Sequence, residues 1–115
     1  MKRDESIYLQ HILDAIAKVE SYLQGVDETA FSRNTMAQDA VIRQIEIIGE
    51  ATKHLSDALR SRYAHIPWLD IVGMRDKLIH EYDNADLEEV WKTATVDIPR
   101  LLRALEPLVP RGPTP

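Results

Sequence analysis

The spacing of the apolar residues constrains this chain more than any other feature, because they recur every three or four positions along most of its length. A period of about 3.6 residues predicts amphipathic α-helices, and the chain has no Asn-Gly or Asp-Gly pair of the kind that marks a β-hairpin. The first stripe predicts a helix over residues 4–24, ended by Gly25. Its apolar members are Tyr8, Ile12, Ala15, Ile16, Val19 and Leu23. The polar connection that follows has room for one further turn of helix.

A second stripe predicts a long helix from Asn34 or Thr35, which are both good N-cap residues, to about Arg60. Small and apolar side chains make this stripe wide, which indicates contact with more than one neighbouring helix. The stripe consists of Val41, Ile45, Ile48, Leu55 and Leu59, widened by Ala40, Ile47, Ala51 and Ala58. Gly49 lies in the middle, where it costs about 1 kcal/mol relative to alanine. It indicates either a close crossing by another helix or a gap that faces a substrate.

Two prolines indicate where the third helix begins and where the last helix is interrupted. Pro67 is suited to the first position of a third helix over residues 67–82. A last helix is expected to start after Asp86 and to end near Glu106, with a kink or restart where Pro99 interrupts it. The prediction is therefore an all-α fold, an antiparallel bundle of four main helices with a possible extra short helix.

The length of 115 residues suits one domain, which we place at residues 1–107, followed by a frayed proline-rich tail over residues 108–115. No run of about 18 apolar residues predicts a membrane span, and the charged start lacks the apolar segment of a signal peptide. The chain has no cysteine, so neither a disulfide framework nor a thiolate metal site is expected. These features favour a cytoplasmic protein.

Charge and histidine spacing limit the kinds of site that the chain can hold. The net charge of −5 argues against a protein that coats nucleic acid by bulk attraction. Residues 51–80, however, carry five Lys/Arg against three Asp/Glu, which would allow a local basic groove. His11, His54 and His65 form no metal-ligand pair at helical spacing and are interpreted as surface residues. No motif for a metal or a cofactor is present.

The stretch RDKLIHEY, residues 75–82, is the least ordinary part of the sequence. In a third helix, Arg75 would lie within the apolar stripe, and Tyr82, seven residues later, would lie on the same side. His80 would point roughly 140° away from Arg75, so one straight helix would not aim both at one point. Three solutions are open: the arginine reaches round the helix, the helix loosens near its end, or a second copy of the chain completes the site.

Asp76 precedes His80 by one helical turn, a spacing that lets a carboxylate hold an imidazole nitrogen. A purely structural interpretation is equally open on spacing alone. Arg75 could be a buried arginine paired with Glu46 or Glu50, and His80 a cation favoured by the helix dipole.

The stretch RDKLIHEY resembles the signature of the HepT-like ribonucleases of the HEPN superfamily. That signature is arginine, four residues, histidine, one residue and tyrosine, matched here by Arg75, His80 and Tyr82. Four segments resemble family segments in the same order. They are residues 3–23, 38–56, 66–82 and 86–105.

The resemblance implies a metal-independent endoribonuclease that acts on RNA and not DNA, as a homodimer whose signature residues line one shared cleft. The ribose 2′-hydroxyl would attack its own phosphodiester and leave a cyclic phosphate. His80 would serve as general base or acid, Arg75 would hold the phosphate, and Asp76 would orient His80. Candidates for contacts to the RNA backbone are Arg60, Arg62 and Lys77.

The resemblance also implies a partner, the nucleotidyltransferase antitoxin of a HEPN–MNT toxin–antitoxin pair, which transfers AMP to the tyrosine at the position of Tyr82. Two alternatives stay open at this point. The chain could be a non-catalytic helical module that binds nucleotides or a partner protein, or it could be the antitoxin of its pair.

Overall fold

The computed structural model describes residues 5–74, 76, 79, 80 and 84–108, with residues 79, 80, 84 and 85 described by their backbone. Helix α1 spans Ser6–Tyr22 and is followed by Gly25, whose φ of 73° lies in the left-handed region. Glycine adopts this conformation without the steric cost that a Cβ brings, so it suits the position after a helix end. The predicted first helix and its terminator are confirmed.

The polar connection forms helix α2, Glu28–Ser32. The Asp27 side chain caps it by accepting a hydrogen bond of 2.8 Å from the backbone N–H of Ala30. Phe31 is buried, with its ring centroid 5.4 Å from that of Trp91. The contact between Phe31 and Trp91 packs the connection against the last helices of the bundle.

Helix α3 spans Thr35–Lys53, and Asn34 caps it as predicted, accepting a 3.0 Å hydrogen bond from the N–H of Ala37. The prediction that this helix continues to Arg60 is wrong, because a separate helix α4 spans Asp57–Arg62. Ser56 begins α4: its Oγ accepts from the N–H of Leu59 at 3.1 Å and donates to the Glu5 carboxylate at 2.8 Å. Ser56 therefore caps α4 locally, and Glu5, which is far away in sequence, holds this cap in place.

Helix α5 spans Trp68–Val72 and has Gly73 at its C-cap, with Met74 and Asp76 also helical. The prediction of one helix to residue 82 is wrong. The two-residue strand β1, Ile79–His80, pairs antiparallel with β2, Asn84–Ala85, and His80 lies opposite Asn84. At residues 79 and 80 the backbone is therefore paired as a strand and not as a helix, which satisfies peptide groups in another manner.

The last helix is divided as predicted. Asp86 caps α6, Leu87–Lys92, by accepting from the N–H of Glu89 at 3.2 Å. A π-helical turn, Thr93–Asp97, leads into α7, Ile98–Leu105, and a 3₁₀ turn, Glu106–Leu108. Pro99 has no N–H to donate to the carbonyl four residues earlier, and its ring crowds that carbonyl, so the wider turn removes the conflict. The expected restart near Asp97 is confirmed.

Helix α3 lies at the centre of the bundle, where it contacts α1, α2, α5 and α6, while α7 packs against α1. The predicted contact of its wide stripe with several neighbours is confirmed. Burial of each core isoleucine contributes about 1.5–3 kcal/mol to folding. The fully buried isoleucines are Ile12, Ile16, Ile45, Ile48, Ile66 and Ile98. The predicted all-α bundle is confirmed, with the β1–β2 pairing as an addition.

Within the described residues, no helix is both long enough and apolar enough to traverse a lipid bilayer. Residues 109–115, most of the predicted tail, lie outside the described part of the chain.

Candidate active-site groove

A groove of about 600 Å³ lies where α1, α3 and the segment after α5 meet. We call it the α1–α3 groove. Tyr8 and His11 of α1 line it, together with Val72, Gly73 and Asp76 at and after the end of α5. The α3 side contributes mainly charged residues and ends at His54. The volume is in the range of small-molecule clefts, roughly 300–1,000 Å³.

Gly49 allows α5 to approach α3 at the edge of this groove. A Cβ built on Gly49 would lie 3.3 Å from the carbonyl oxygen of Val72 and 3.7 Å from that of Ile71. The first of these distances is shorter than an ordinary van der Waals contact. The predicted close crossing is therefore confirmed, and it positions the C-terminal end of α5 directly before the RDKLIHEY segment.

Asp76 is exposed and lines the α1–α3 groove. Arg75, Lys77 and Tyr82 lie outside the described residues, and His80 is described by its backbone alone. Because His80 is in β1, the predicted helical spacing between Asp76 and His80 is wrong, and the 140° separation no longer applies. Of the three solutions that the sequence left open, a loosening of the helix near its end agrees with this backbone.

An aromatic cluster forms one end of the groove. The rings of Tyr8 and His54 are stacked, with centroids 4.8 Å apart and planes 14° from parallel. The ring of His11 meets the ring of Tyr8 edge-on, with centroids 6.1 Å apart and an angle of 89° between the planes. His11 and His54 are both exposed, as expected, but the sequence did not predict that the bundle places them next to Tyr8. The three-residue spacing of Tyr8 and His11 on α1 was the available signal.

Among the described residues that line the groove, the charges are mixed, with an excess of carboxylates. The cations are Arg43 and Lys53, and the carboxylates are Glu46, Glu50 and Asp76. The Nη1 atom of Arg43 lies 3.7 Å from Oε1 of Glu46, and the Nζ atom of Lys53 lies 3.5 Å from Oε1 of Glu50. Ion pairs at the surface like these contribute about 0–1 kcal/mol each. The described part of this groove therefore does not form a basic cradle for phosphate. The predicted pairing of Arg75 with Glu46 or Glu50 stays a prediction, because Arg75 lies outside the described residues.

The two described candidates for RNA backbone contacts lie apart from this groove. The Arg60 guanidinium is turned inward, where its Nη2 donates a 2.7 Å hydrogen bond to the carbonyl of Thr52 in the last turn of α3. Arg62 is exposed and lies with its guanidinium carbon 5.6 Å from the centre of the Tyr63 ring. It lines a separate groove with Glu5. The structure therefore does not bring either arginine to Asp76.

Comparison with known proteins identifies the family. The model of the family described as Ribonuclease HepT-like matches residues 12–108. A protein of Methanocaldococcus jannaschii named as a putative RNase is 38% identical over 94% of this chain and 93% of its own length. A protein of Thermococcus cleftensis named as a probable ribonuclease HepT is 40% identical over 94% of this chain and 98% of its own.

A third relative is longer. It is a Methanocaldococcus jannaschii protein named as a gamma-glutamylcyclotransferase and putative RNase, and it is 46% identical over 88% of this chain. The match spans about half of that relative, 46% of its length. No solved structure matches this chain significantly. The family match and the full-length relatives show that the chain belongs to the HepT-like ribonuclease family.

Proposed function

We propose that this protein is a metal-independent endoribonuclease, the toxin of a HEPN–MNT toxin–antitoxin pair. The family match over residues 12–108 carries the proposal, together with the names of full-length relatives that describe them as RNases. The matched region includes the complete arginine–histidine–tyrosine signature. The close packing of α5 against Gly49 supports the proposal, because it fixes the point from which this segment departs.

The proposed reaction is an attack of the ribose 2′-hydroxyl on the adjacent phosphodiester. His80 accepts the hydroxyl proton or donates a proton to the leaving 5′-oxygen, since imidazole exchanges protons near neutral pH. Arg75 binds the phosphate oxygens and stabilises the charge that develops on them. Asp76 is exposed on the α1–α3 groove, and its proposed role is to orient His80 through an approach other than the helical spacing that the sequence predicted. The products are a 2′,3′-cyclic phosphate and a 5′-hydroxyl end.

The decisive experiment incubates the purified protein with labelled RNA in EDTA and analyses the ends of the fragments. We expect cleavage with cyclic phosphate ends, lost in His80→Ala and retained in His65→Ala, which replaces an exposed histidine of the connection before α5. Cleavage that persists in a folded His80→Ala preparation would falsify the assignment. RNA binding without fragments would favour a non-catalytic module, an alternative that the net charge of −5 also favours.

We propose a homodimer in which signature residues of both protomers line one cleft. Leu69 on α5 is 80% exposed and would be one apolar contact of such an interface. Light scattering at micromolar protein concentration tests the proposal. A monomer that still cleaves RNA would contradict the shared cleft.

Neutralisation is proposed to occur by transfer of AMP from ATP to the Tyr82 hydroxyl by the MNT nucleotidyltransferase, with release of pyrophosphate. Each added AMP brings a negative charge and a nucleoside that compete with RNA for Arg75. Intact mass after co-expression with the neighbouring nucleotidyltransferase should show AMP increments that disappear in Tyr82→Phe. Increments that remain would place the modification elsewhere. Expression of each partner alone, scored by growth, tests which member is the toxin.

A further inference from the structure

We propose that the stacked pair Tyr8–His54 is a nucleobase-binding platform, which holds a base of single-stranded RNA beside the bond to be cut. This inference rests on the proposed ribonuclease function and adds a subsite to it. It assigns a binding role to two residues that lie outside the arginine–histidine–tyrosine signature.

The geometry of the pair suits an extended stack. The planes are 14° from parallel and the centroids 4.8 Å apart, so a third flat ring can continue the same stack. Tyr8 is half-buried and His54 is exposed, which places His54 on the solvent side. Every base has a π-face, so stacking on an aromatic side chain is a general way to hold single-stranded RNA.

The pair is held in place by the bundle. Tyr8 belongs to the 17-residue helix α1, and His11 of the same helix meets its ring edge-on. His54 is the C-cap residue of α3, and its backbone N–H donates a 3.1 Å hydrogen bond to the carbonyl of Ala51. A platform fixed on two core helices loses little conformational entropy when a ligand binds, which favours affinity.

The described charged residues of the groove suit the edge of a base. Glu46, Glu50 and Asp76 are its described carboxylates, and its two described cations lie within 4 Å of Glu46 and Glu50. Carboxylates accept hydrogen bonds from the amino groups on base edges. These carboxylates are therefore available to the edge of a base stacked on His54, while Arg75 is the residue proposed to bind the phosphate.

The position of the groove indicates which base of the RNA the platform would hold. Tyr8, His54 and Asp76 line the same groove, and Asp76 follows Arg75 directly in the chain. If Arg75 and His80 act as proposed, a base on the platform would lie near the phosphate that they bind. We expect it to belong to a nucleotide adjacent to the scissile bond and to contribute to the choice of that bond.

The test combines removal of single bases from the RNA with substitution of His54 in the protein, and it measures Kd. Oligomers of 2′-O-methyl RNA lack the attacking hydroxyl, so they bind without being cut, and a series of them places one abasic position at each site in turn. We expect one abasic position to weaken binding to the wild-type protein by roughly 5- to 150-fold in Kd, the range of base–aromatic stacking. In His54→Ala, that position should become neutral, because the partner of the base is gone.

Two further variants separate stacking from other effects. His54→Phe keeps a flat ring and should restore the cost of the abasic position, whereas His65→Ala should behave as the wild type. If Tyr8→Ala fails to fold, the exposed His54 still carries the test. The platform is overturned if the abasic cost is unchanged in His54→Ala, if no position shows a cost, or if the wild-type protein binds none of the oligomers. Binding with the expected coupling but no cleavage of natural RNA would instead refute the proposed ribonuclease.

Discussion

The Val72 carbonyl oxygen lies so near Gly49 that a Cβ added to the glycine would be only 3.3 Å from it, which is closer than an ordinary van der Waals contact. The contact joins the centre of α3 to the last residue of α5. The neighbour is a backbone atom, so added volume at Gly49 must move the end of α5 itself. Any such movement reaches the RDKLIHEY segment, because that segment begins three residues after Val72.

Gly49→Ala should therefore change activity more than stability. Alanine gains about 1 kcal/mol of helix propensity, which offsets the cost of displacing α5 by a few tenths of an ångström. Misplacement of catalytic groups is expensive, so we expect the RNA cleavage rate to fall roughly tenfold or more. Thermal unfolding and initial cleavage rates, measured on the same preparation, check both parts.

Gly25→Ala is the matched control. Gly25 has a φ of 73°, and a Cβ there would meet no heavy atom within 4 Å. The substitution should cost about 1–2 kcal/mol through backbone strain and leave the cleavage rate of the folded protein unchanged. Equal losses of activity in the two glycine variants would contradict a specific role for the Gly49 contact.

A second prediction concerns Asp76, whose role in orienting His80 is a proposal. Asp76→Asn keeps the shape of the side chain and removes its charge, so an orienting carboxylate should show a reduced kcat with little change in KM. Asp70→Asn is the control, since Asp70 is also exposed but lines a different groove, between α5 and the last helices. A kcat that falls equally in both variants would indicate a general charge effect.

Local signals were enough to predict much of the fold. The first helix ends where Gly25 predicts, Asn34 and Asp86 cap the helices that they precede, and the backbone widens just before Pro99. Each of these signals acts within a few residues of the peptide groups that it affects. A single sequence therefore contains all the information that such predictions need.

Other features depend on residues that are distant in sequence, and these could not be predicted. Ser56, the cap of α4, donates to the Glu5 carboxylate, which lies 51 residues away in the chain. The antiparallel pairing of His80 with Asn84 replaced a helix that the periodicity favoured. Likewise, Tyr8 and His54 come together because α1 packs on α3, a relationship that the period of neither helix encodes.

Ser56→Ala tests the long-range cap directly. The variant loses the Oγ that accepts from Leu59 at 3.1 Å and donates to Glu5 at 2.8 Å. Loss of an N-cap costs about 0.5–2 kcal/mol, so urea unfolding should show a decrease in the free energy of unfolding within this range. Ser61→Ala removes an exposed hydroxyl from the same helix and should change stability by less than about 0.5 kcal/mol. Similar effects in both variants would mean that the cap does not stabilise the native state.

The last prediction separates the two arginines near the end of α4, which the sequence treated alike as RNA contacts. Arg60 donates a 2.7 Å hydrogen bond to the Thr52 carbonyl, while Arg62 is exposed. A hydrogen bond from a charged group contributes about 1.5–3 kcal/mol, so Arg60→Ala should lower stability by an amount in this range. Arg62→Ala should change stability by less than about 0.5 kcal/mol.

RNA binding should show the opposite order. If Arg62 contacts a phosphate, Arg62→Ala should weaken binding and reduce the slope of log Kd against log salt concentration by about 0.7, the value for one single-strand contact. Arg60→Ala should leave that slope unchanged, because its guanidinium is engaged with α3 in the folded protein. Binding titrations at several salt concentrations measure both slopes. A reduced slope in Arg60→Ala, with stability intact, would show that its guanidinium turns outward to bind RNA and that the Thr52 contact contributes little.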